Sequence, residues 1–84
     1  MAKKLDIRIM DLDAGRLMVA EGVVKIAVRK TGKKAHVTMM ADNLGITRQG
    51  LMDRVPLIVI DGKIVSESKP ILLPDVVKLL EGLE

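Results

Sequence analysis

Few side chains in this chain of 84 residues could do covalent or metal chemistry. The chain contains no cysteine and a single histidine, His36. Without a thiolate there is no disulfide exchange, no thiol nucleophile and no thiolate zinc site, and one imidazole cannot form a multi-histidine site. Asp11, Asp13 and Asp53 carry the carboxylates that hard cations prefer, but Asp13 is better placed as a helix cap. We therefore expect no catalytic residue, no metal and no cofactor, and we interpret His36 as a structural strand residue.

Positive charge is the second chemical feature of the sequence. The chain has 14 Lys and Arg against 11 Asp and Glu, a net charge of +3, and Arg29, Lys30, Lys33 and Lys34 lie close together. Such a group can bind phosphate, but it is more typical of a solvated helix end. The chain also lacks Phe, Trp and Tyr, on which the stacking in single-stranded nucleic-acid modules depends. We therefore do not expect nucleic acid as the partner.

Hydrophobic periodicity predicts the elements that position these residues. Lys4 to Leu12 alternates apolar and polar residues with a period of two, which is typical of a strand. Asp13 then stands at the N-cap of a helix that begins at Ala14, and Gly32 is a left-handed residue that ends it. The short apolar run Ala35 to Met40 predicts a second strand.

The second half of the chain contains a hairpin signal. The β-branched runs on either side of Asp61-Gly62 predict two strands joined by a type I′ turn, because both residues tolerate positive φ. Leu57 to Ile60 shows no alternation, so that strand should be buried on both faces. Pro74 fits the first turn of a last helix. The predicted order is β-α-β-α-β-β-α, a single α/β domain over residues 1–84.

This order, with a proline opening the strand of the hairpin, resembles the thioredoxin fold. The chain is most similar to the small thioredoxin-like disulfide-redox proteins, and the similarity runs through nearly its whole length. Its most specific part is the segment from Val55-Pro56 to Ser66, which resembles the cis-proline strand and hairpin of that family. The resemblance implies a four-stranded mixed sheet with three helices and a cis peptide bond before Pro56.

The chain differs from that family at the residues that do its chemistry. A Cys-x-x-Cys motif opens the first helix of the family, and its two cysteine positions correspond here to Ala14 and Leu17, with Gly15 and Arg16 between them. A shift of one residue in the alignment would place Asp13 and Arg16 there instead. None of these side chains can form a mixed disulfide. The resemblance therefore implies the fold without the family's activity.

The favoured interpretation is a redox-inactive thioredoxin-like domain that acts by protein or peptide binding or by assembly, and we expect no enzymatic activity. In the family, substrate chains lie extended against the residue before the cis-proline. The resemblance accordingly implies a binding surface made of Val55, Pro56, Ala14, Gly15, Arg16 and Leu17. An alternative is a thiol-disulfide oxidoreductase whose two cysteines have been replaced, by nature or by design.

A second alternative is DNA binding through segment 41–55. Residues 42–50 are polar enough for a short surface helix, but Ala41 to Leu51 also resembles a helix-turn-helix, with Gly45 at the turn. Thr47, Arg48 and Gln49 would open the recognition helix, and side chains of these types reach base edges. The two interpretations differ in one element, because the preceding Ala35 to Met40 must be helical for DNA binding and extended for the thioredoxin fold.

The first helix carries more apolar residues than one buried face needs. Leu17, Ala20, Val24, Ala27 and Val28 form one helical stripe, which we expect in the core. Val19, Val23 and Ile26 form a second stripe beside it. We expect this stripe to be partly exposed and to form the interface of a homodimer or of a complex with a partner protein.

No apolar stretch of the sequence approaches the ~20 residues of a membrane span, and the N-terminus has no signal-peptide pattern. We expect a cytoplasmic protein that does not interact with membranes.

Overall fold

The computed structural model describes residues 4–41, 43–48, 50 and 52–83. Within them the chain forms three α-helices and four β-strands, as the hydrophobic pattern predicts, and a 3-10 turn at Met52–Arg54. In chain order the elements are β1 (Leu5–Met10), α1 (Ala14–Thr31), β2 (Ala35–Met40), α2 (Asn43–Arg48), β3 (Leu57–Ile60), β4 (Lys63–Glu67) and α3 (Leu73–Glu81).

The four strands form one mixed sheet in the order β2-β1-β3-β4. β1 runs parallel to β2 and antiparallel to β3, and β3 runs antiparallel to β4. The β3–β4 hairpin turns at Asp61 and Gly62, whose φ angles of 51° and 83° confirm the predicted turn chemistry. The Asp61 carboxylate accepts a hydrogen bond from the Asp6 backbone N–H at 3.0 Å, which fixes the turn against β1.

Each face of the sheet carries its own hydrophobic cluster. On one face Ile7, Ile9, Ile58 and Ile60 pack against the buried side chains of α1 and α3. On the other face the alternate residues Met10, Leu57 and Val59 pack against Ile46 of α2. Every residue of β3 is buried, which confirms that this strand lies inside the sheet with both faces covered. Burying each such Ile or Leu side chain contributes ~1.5–3 kcal/mol, so these clusters determine the layer order.

The ends of α1 follow the predicted capping chemistry. The Asp13 side chain accepts a hydrogen bond from the backbone N–H of Arg16, and Gly32 ends the helix with a φ of 69°. The buried residues of α1 are Leu17, Ala20, Val24 and Ala27. They recur every three or four positions, so one stripe of the helix faces the sheet.

The described residues of segment 41–55 do not form the helix-turn-helix that the sequence resembles. Ala35–Met40 is strand β2, paired with β1, where the DNA-binding interpretation requires a helix. Gly45 lies inside α2 rather than at a turn between two helices, and Thr47 and Arg48 end that same helix. Gln49 and Leu51 lie outside the described residues. Pairing of β2 with β1 packs the partly buried Ala35 and Val37 against the core, and these contacts favour the strand.

None of the described helices is both long enough and apolar enough to cross a lipid bilayer.

Candidate binding groove at the start of α1

The loop between β1 and α1 is organised by two aspartates with different tasks. Asp13 caps α1: its Oδ1 accepts the Arg16 backbone N–H at 2.9 Å, and its carbonyl accepts the Leu17 N–H at 2.9 Å. Gly15 leaves room for this cap, because a Cβ at that position would lie 3.3 Å from Asp13 Oδ1. Asp11, two residues earlier, is fully buried at the end of β1. The cap therefore directs Arg16 back across the loop toward Asp11.

Asp11 and Arg16 form a two-pronged ion pair at the start of the helix. Arg16 Nε donates to Asp11 Oδ2 at 2.5 Å, and Arg16 Nη2 donates to Asp11 Oδ1 at 2.6 Å. The Asp13 backbone N–H also donates to Asp11 Oδ1 at 3.2 Å. The hydrogen bonds from Arg16 outweigh the desolvation of the buried carboxylate and lower the pKa of Asp11.

The pair neutralises the charge that Arg16 brings to the positive end of the helix dipole. Arg16 is still half-exposed, with 56% of its side-chain surface in contact with solvent, and the carboxylate raises the pKa of its guanidinium. The Asp11 carboxylate thus compensates the charge of Arg16 within the chain. The groove beside it offers an apolar surface rather than an anion site.

A small cavity of about 200 Å³ opens beside this pair. The first helix contributes Arg16, Val19 and Ala20 to its wall, and the opposite wall comes from the loop before β3 and the loop before α3. The loop residues that complete the lining are Pro56, Pro70 and Ile71. The Val55–Pro56 peptide bond is cis, as the resemblance implies. Val19 forms an apolar rim, since 68% of its surface is accessible.

The structure brings part of the expected binding set together. Arg16 and Pro56 line the same cavity, and Ala14 and Gly15 are exposed at the helix start next to it. Leu17 departs from the expectation of a groove residue: it is 4% exposed and belongs to the core, because α1 turns this position toward the sheet.

Val55, the other expected binding residue, is half-buried. Its side chain packs against the cluster of Met10, Ile46, Leu57 and Val59 on the α2 face of the sheet. Only the remaining exposed part of Val55 is available to a bound chain.

The expected interface stripe is also divided. Val19 and Ile26 are exposed, at 68% and 46%. Val23 is half-buried and packs against the core, because it lies on α1 next to the buried stripe. Met18 is 67% exposed and adds to the apolar surface of this helix.

Sequence reasoning missed the contribution of the loop before α3. Pro70 and Ile71 close the cavity over α1 although about fifty residues separate them from Arg16. The available signal was the position of Pro70 in a stretch without periodicity between a strand and a helix. The Asp11–Arg16 pair was also missed, although Asp11 directly follows an alternating strand and Arg16 opens the helix.

The three aspartates considered as cation ligands do not form a common site among the described residues. No group of three or more His, Asp or Glu side chains converges within residues 4–83 as far as the structure describes them. The Asp11 carboxylate is occupied by Arg16, and Asp53 is exposed in the 3-10 turn. His36 is an exposed residue of β2.

No protein-family model, no curated protein and no solved structure matches this chain.

Proposed function

We propose that this protein is a thioredoxin-like domain without redox chemistry, located in the cytoplasm, and that it binds an extended segment of a partner protein in the groove between α1 and Pro56. The observation that carries the proposal is the cavity lined by Arg16, Val19 and Pro56, with exposed apolar surface at its rim. The three helices and the four-stranded mixed sheet support the proposal, because the resemblance implies that arrangement. The sequence supplies no thiol for the family's disulfide exchange.

The size of the cavity favours a peptide side chain over a small molecule. Pockets that hold drug-sized ligands measure about 300–1,000 Å³, whereas this one has about 200 Å³. Its walls are the aliphatic carbons of Val19, Ala20 and Ile71 and two proline rings. The single charged group there, Arg16, is already paired with Asp11. A bound chain therefore places one aliphatic side chain in the cavity.

A peptide-binding measurement tests this assignment. The probe is a short fluorescein-labelled peptide with a central leucine between β-branched residues, and its affinity is measured by fluorescence anisotropy. Val19→Asp places a charge on the rim of the cavity, and we expect it to weaken binding by about tenfold or more. Met18→Asp is the matched control, because Met18 is an apolar residue of the same helix that is as exposed as Val19 and lies outside the cavity lining.

A second version of the probe, with aspartate in place of the central leucine, should bind weakly to the wild type. If both probes bind equally, or if Met18→Asp weakens binding as much as Val19→Asp, then the cavity is not the binding site.

A related second candidate is a disulfide oxidoreductase from which the cysteines have been lost. Ala14 and Leu17 both lie in the first turn of α1, where a helix N-terminus stabilises a thiolate. The protein as it stands should show no catalysed reduction of insulin by dithiothreitol. Turnover above background by the pure protein would overturn both candidates.

A further inference from the structure

Strand β2 leaves one edge of the sheet open. β2 lies at the end of the strand order and pairs with β1 alone among the described strands. The Leu5 N–H donates to the Lys34 carbonyl and the Asp11 N–H donates to the Met40 carbonyl. In a parallel ladder of this register the even-numbered residues of β2 face β1. The backbone groups of Ala35, Val37 and Met39 therefore point outward, where a further strand would pair.

A basic cleft runs beside this edge. It has a volume of about 390 Å³ and lies between the C-terminal half of α1 and the first residues of β2. Lys25, Arg29 and Lys33 provide its cations, and Val28 and Val37 provide apolar surface between them. The cleft and the outward backbone groups of β2 thus form one continuous surface.

The net positive charge of the chain comes from the segment that contributes the cations of this cleft. Residues 25–36 contain five Lys and Arg and no Asp or Glu, so the rest of the chain has nine cations against eleven acids. Lys25 is paired with Glu21 at 3.3 Å, and Lys33 Nζ donates to the Leu83 carbonyl at 2.8 Å. Arg29 makes no ion pair with any residue of the described part.

We propose that this edge accepts an extended acidic segment of a partner protein as a fifth strand. The partner's backbone pairs with Val37 and Met39, and acidic side chains at alternate positions meet Arg29 and Lys33 on the α1 side of the sheet. Two copies of β2 are a poor match for each other, because their pairing would bring two clusters of like charge together. Nucleic acid would leave the donors and acceptors of the edge unused.

The backbone pattern provides the most specific test. The probe is a short peptide in which glutamate and valine alternate, added to ¹⁵N-labelled protein, with amide hydrogen exchange followed by NMR. We expect slower exchange at the amides of Val37 and Met39, and no change at His36 and Thr38, whose N–H groups already face β1. Binding with unchanged exchange at Val37 and Met39 would overturn strand addition.

Charge-reversal variants test the role of the cleft. The double variant Arg29→Glu, Lys33→Glu should lower the affinity for the peptide by roughly tenfold. Lys63→Glu with Lys69→Glu is the matched control, because both lysines are exposed and lie outside the cleft. Equal losses in the two double variants would show that only net charge matters and would overturn the proposed site.

Met39→Pro removes one outward N–H and should weaken peptide binding, whereas Met39→Ala keeps this N–H and should leave peptide binding unchanged. A single-stranded RNA oligomer is the competitor in the same assay. If the RNA binds more tightly than the peptide and Met39→Pro does not change the affinity for the peptide, the cleft is a phosphate-binding site and strand addition is overturned. If Met39→Pro does not fold, the exchange pattern at Val37 and Met39 decides.

Discussion

Replacing Asp11 with asparagine should destabilise the protein although the side chain keeps its size. Asp11 is fully buried and accepts two hydrogen bonds from the Arg16 guanidinium. An asparagine would lose the charge and place its NH₂ donor against a guanidinium donor. Hydrogen bonds to charged groups contribute ~1.5–3 kcal/mol each when buried. Solvent screens the exposed Arg16 side of the pair, so we expect Asp11→Asn to lower the free energy of unfolding by about 2 kcal/mol in total.

The pH dependence of the free energy of unfolding tests the same ion pair in a second way. Arg16 holds the pKa of Asp11 below its ordinary value of 3.8 in the folded protein. At low pH the unfolded state therefore binds more protons than the folded state, and stability rises with pH. The contribution of Asp11 is complete above its unfolded pKa and is lost as the pH falls through its folded pKa. Asp11→Asn should flatten this acidic part of the stability curve.

Thermal and urea unfolding followed by circular dichroism measure both effects. For a domain of this size 1 kcal/mol corresponds to roughly 4–8 °C in Tm. Asp53→Asn is the matched control, because Asp53 is exposed in the 3-10 turn and its change should leave Tm unchanged. If Asp11→Asn has the Tm and the acid slope of the wild type, the ion pair does not stabilise the fold, and the neutral apolar groove inferred from it loses its basis.

Two further predictions concern helix α1. The double variant Ala14→Cys, Leu17→Cys should form a disulfide that dithiothreitol reduces, because the i, i+3 spacing places both side chains on one side of the first turn. A thiol titration measures its oxidation. If the folded double variant does not oxidise, the cysteine positions of the resembled family correspond to other residues of this chain. Sedimentation over a concentration series should show a dimer that Ile26→Lys dissociates without lowering Tm, since Ile26 is 46% exposed. A wild type that stays monomeric at millimolar concentration would exclude self-association through Val19 and Ile26.

The elements that depend on local chemistry could be predicted from the sequence. The Asp13 cap and the Asp61-Gly62 turn each depend on a side chain and its neighbours within a few residues, so the residue types alone identify them. The unbroken apolar run of β3 likewise indicates a strand with two covered faces. These features also give the order of elements and the α/β class.

The groove could be predicted only in part, because its walls meet through the tertiary fold. Pro70 and Ile71 line the cavity because α3, which follows them in the chain, packs against α1. No local sequence pattern indicates this packing. The rotation of α1 against the sheet has the same origin. A turn of a few tens of degrees decides that Leu17 and Val23 contact the core while Val19 stays at the surface. Periodicity correctly predicts the buried stripe of Leu17, Ala20, Val24 and Ala27, but it does not show that Val23 of the second stripe also packs against the core.

The two ends of α1 differ in how their charge is compensated, and this difference decides what each surface can select. At the N-terminus the dipole and Arg16 both contribute positive charge, and the buried carboxylate of Asp11 answers it within the protein. The groove there can select a ligand only by apolar shape. At the C-terminus Arg29 and Lys30 complement the dipole. Residues 25–36 contain no Asp or Glu that could compensate their five cations. The β2 edge beside them can therefore select by charge as well as by backbone pairing.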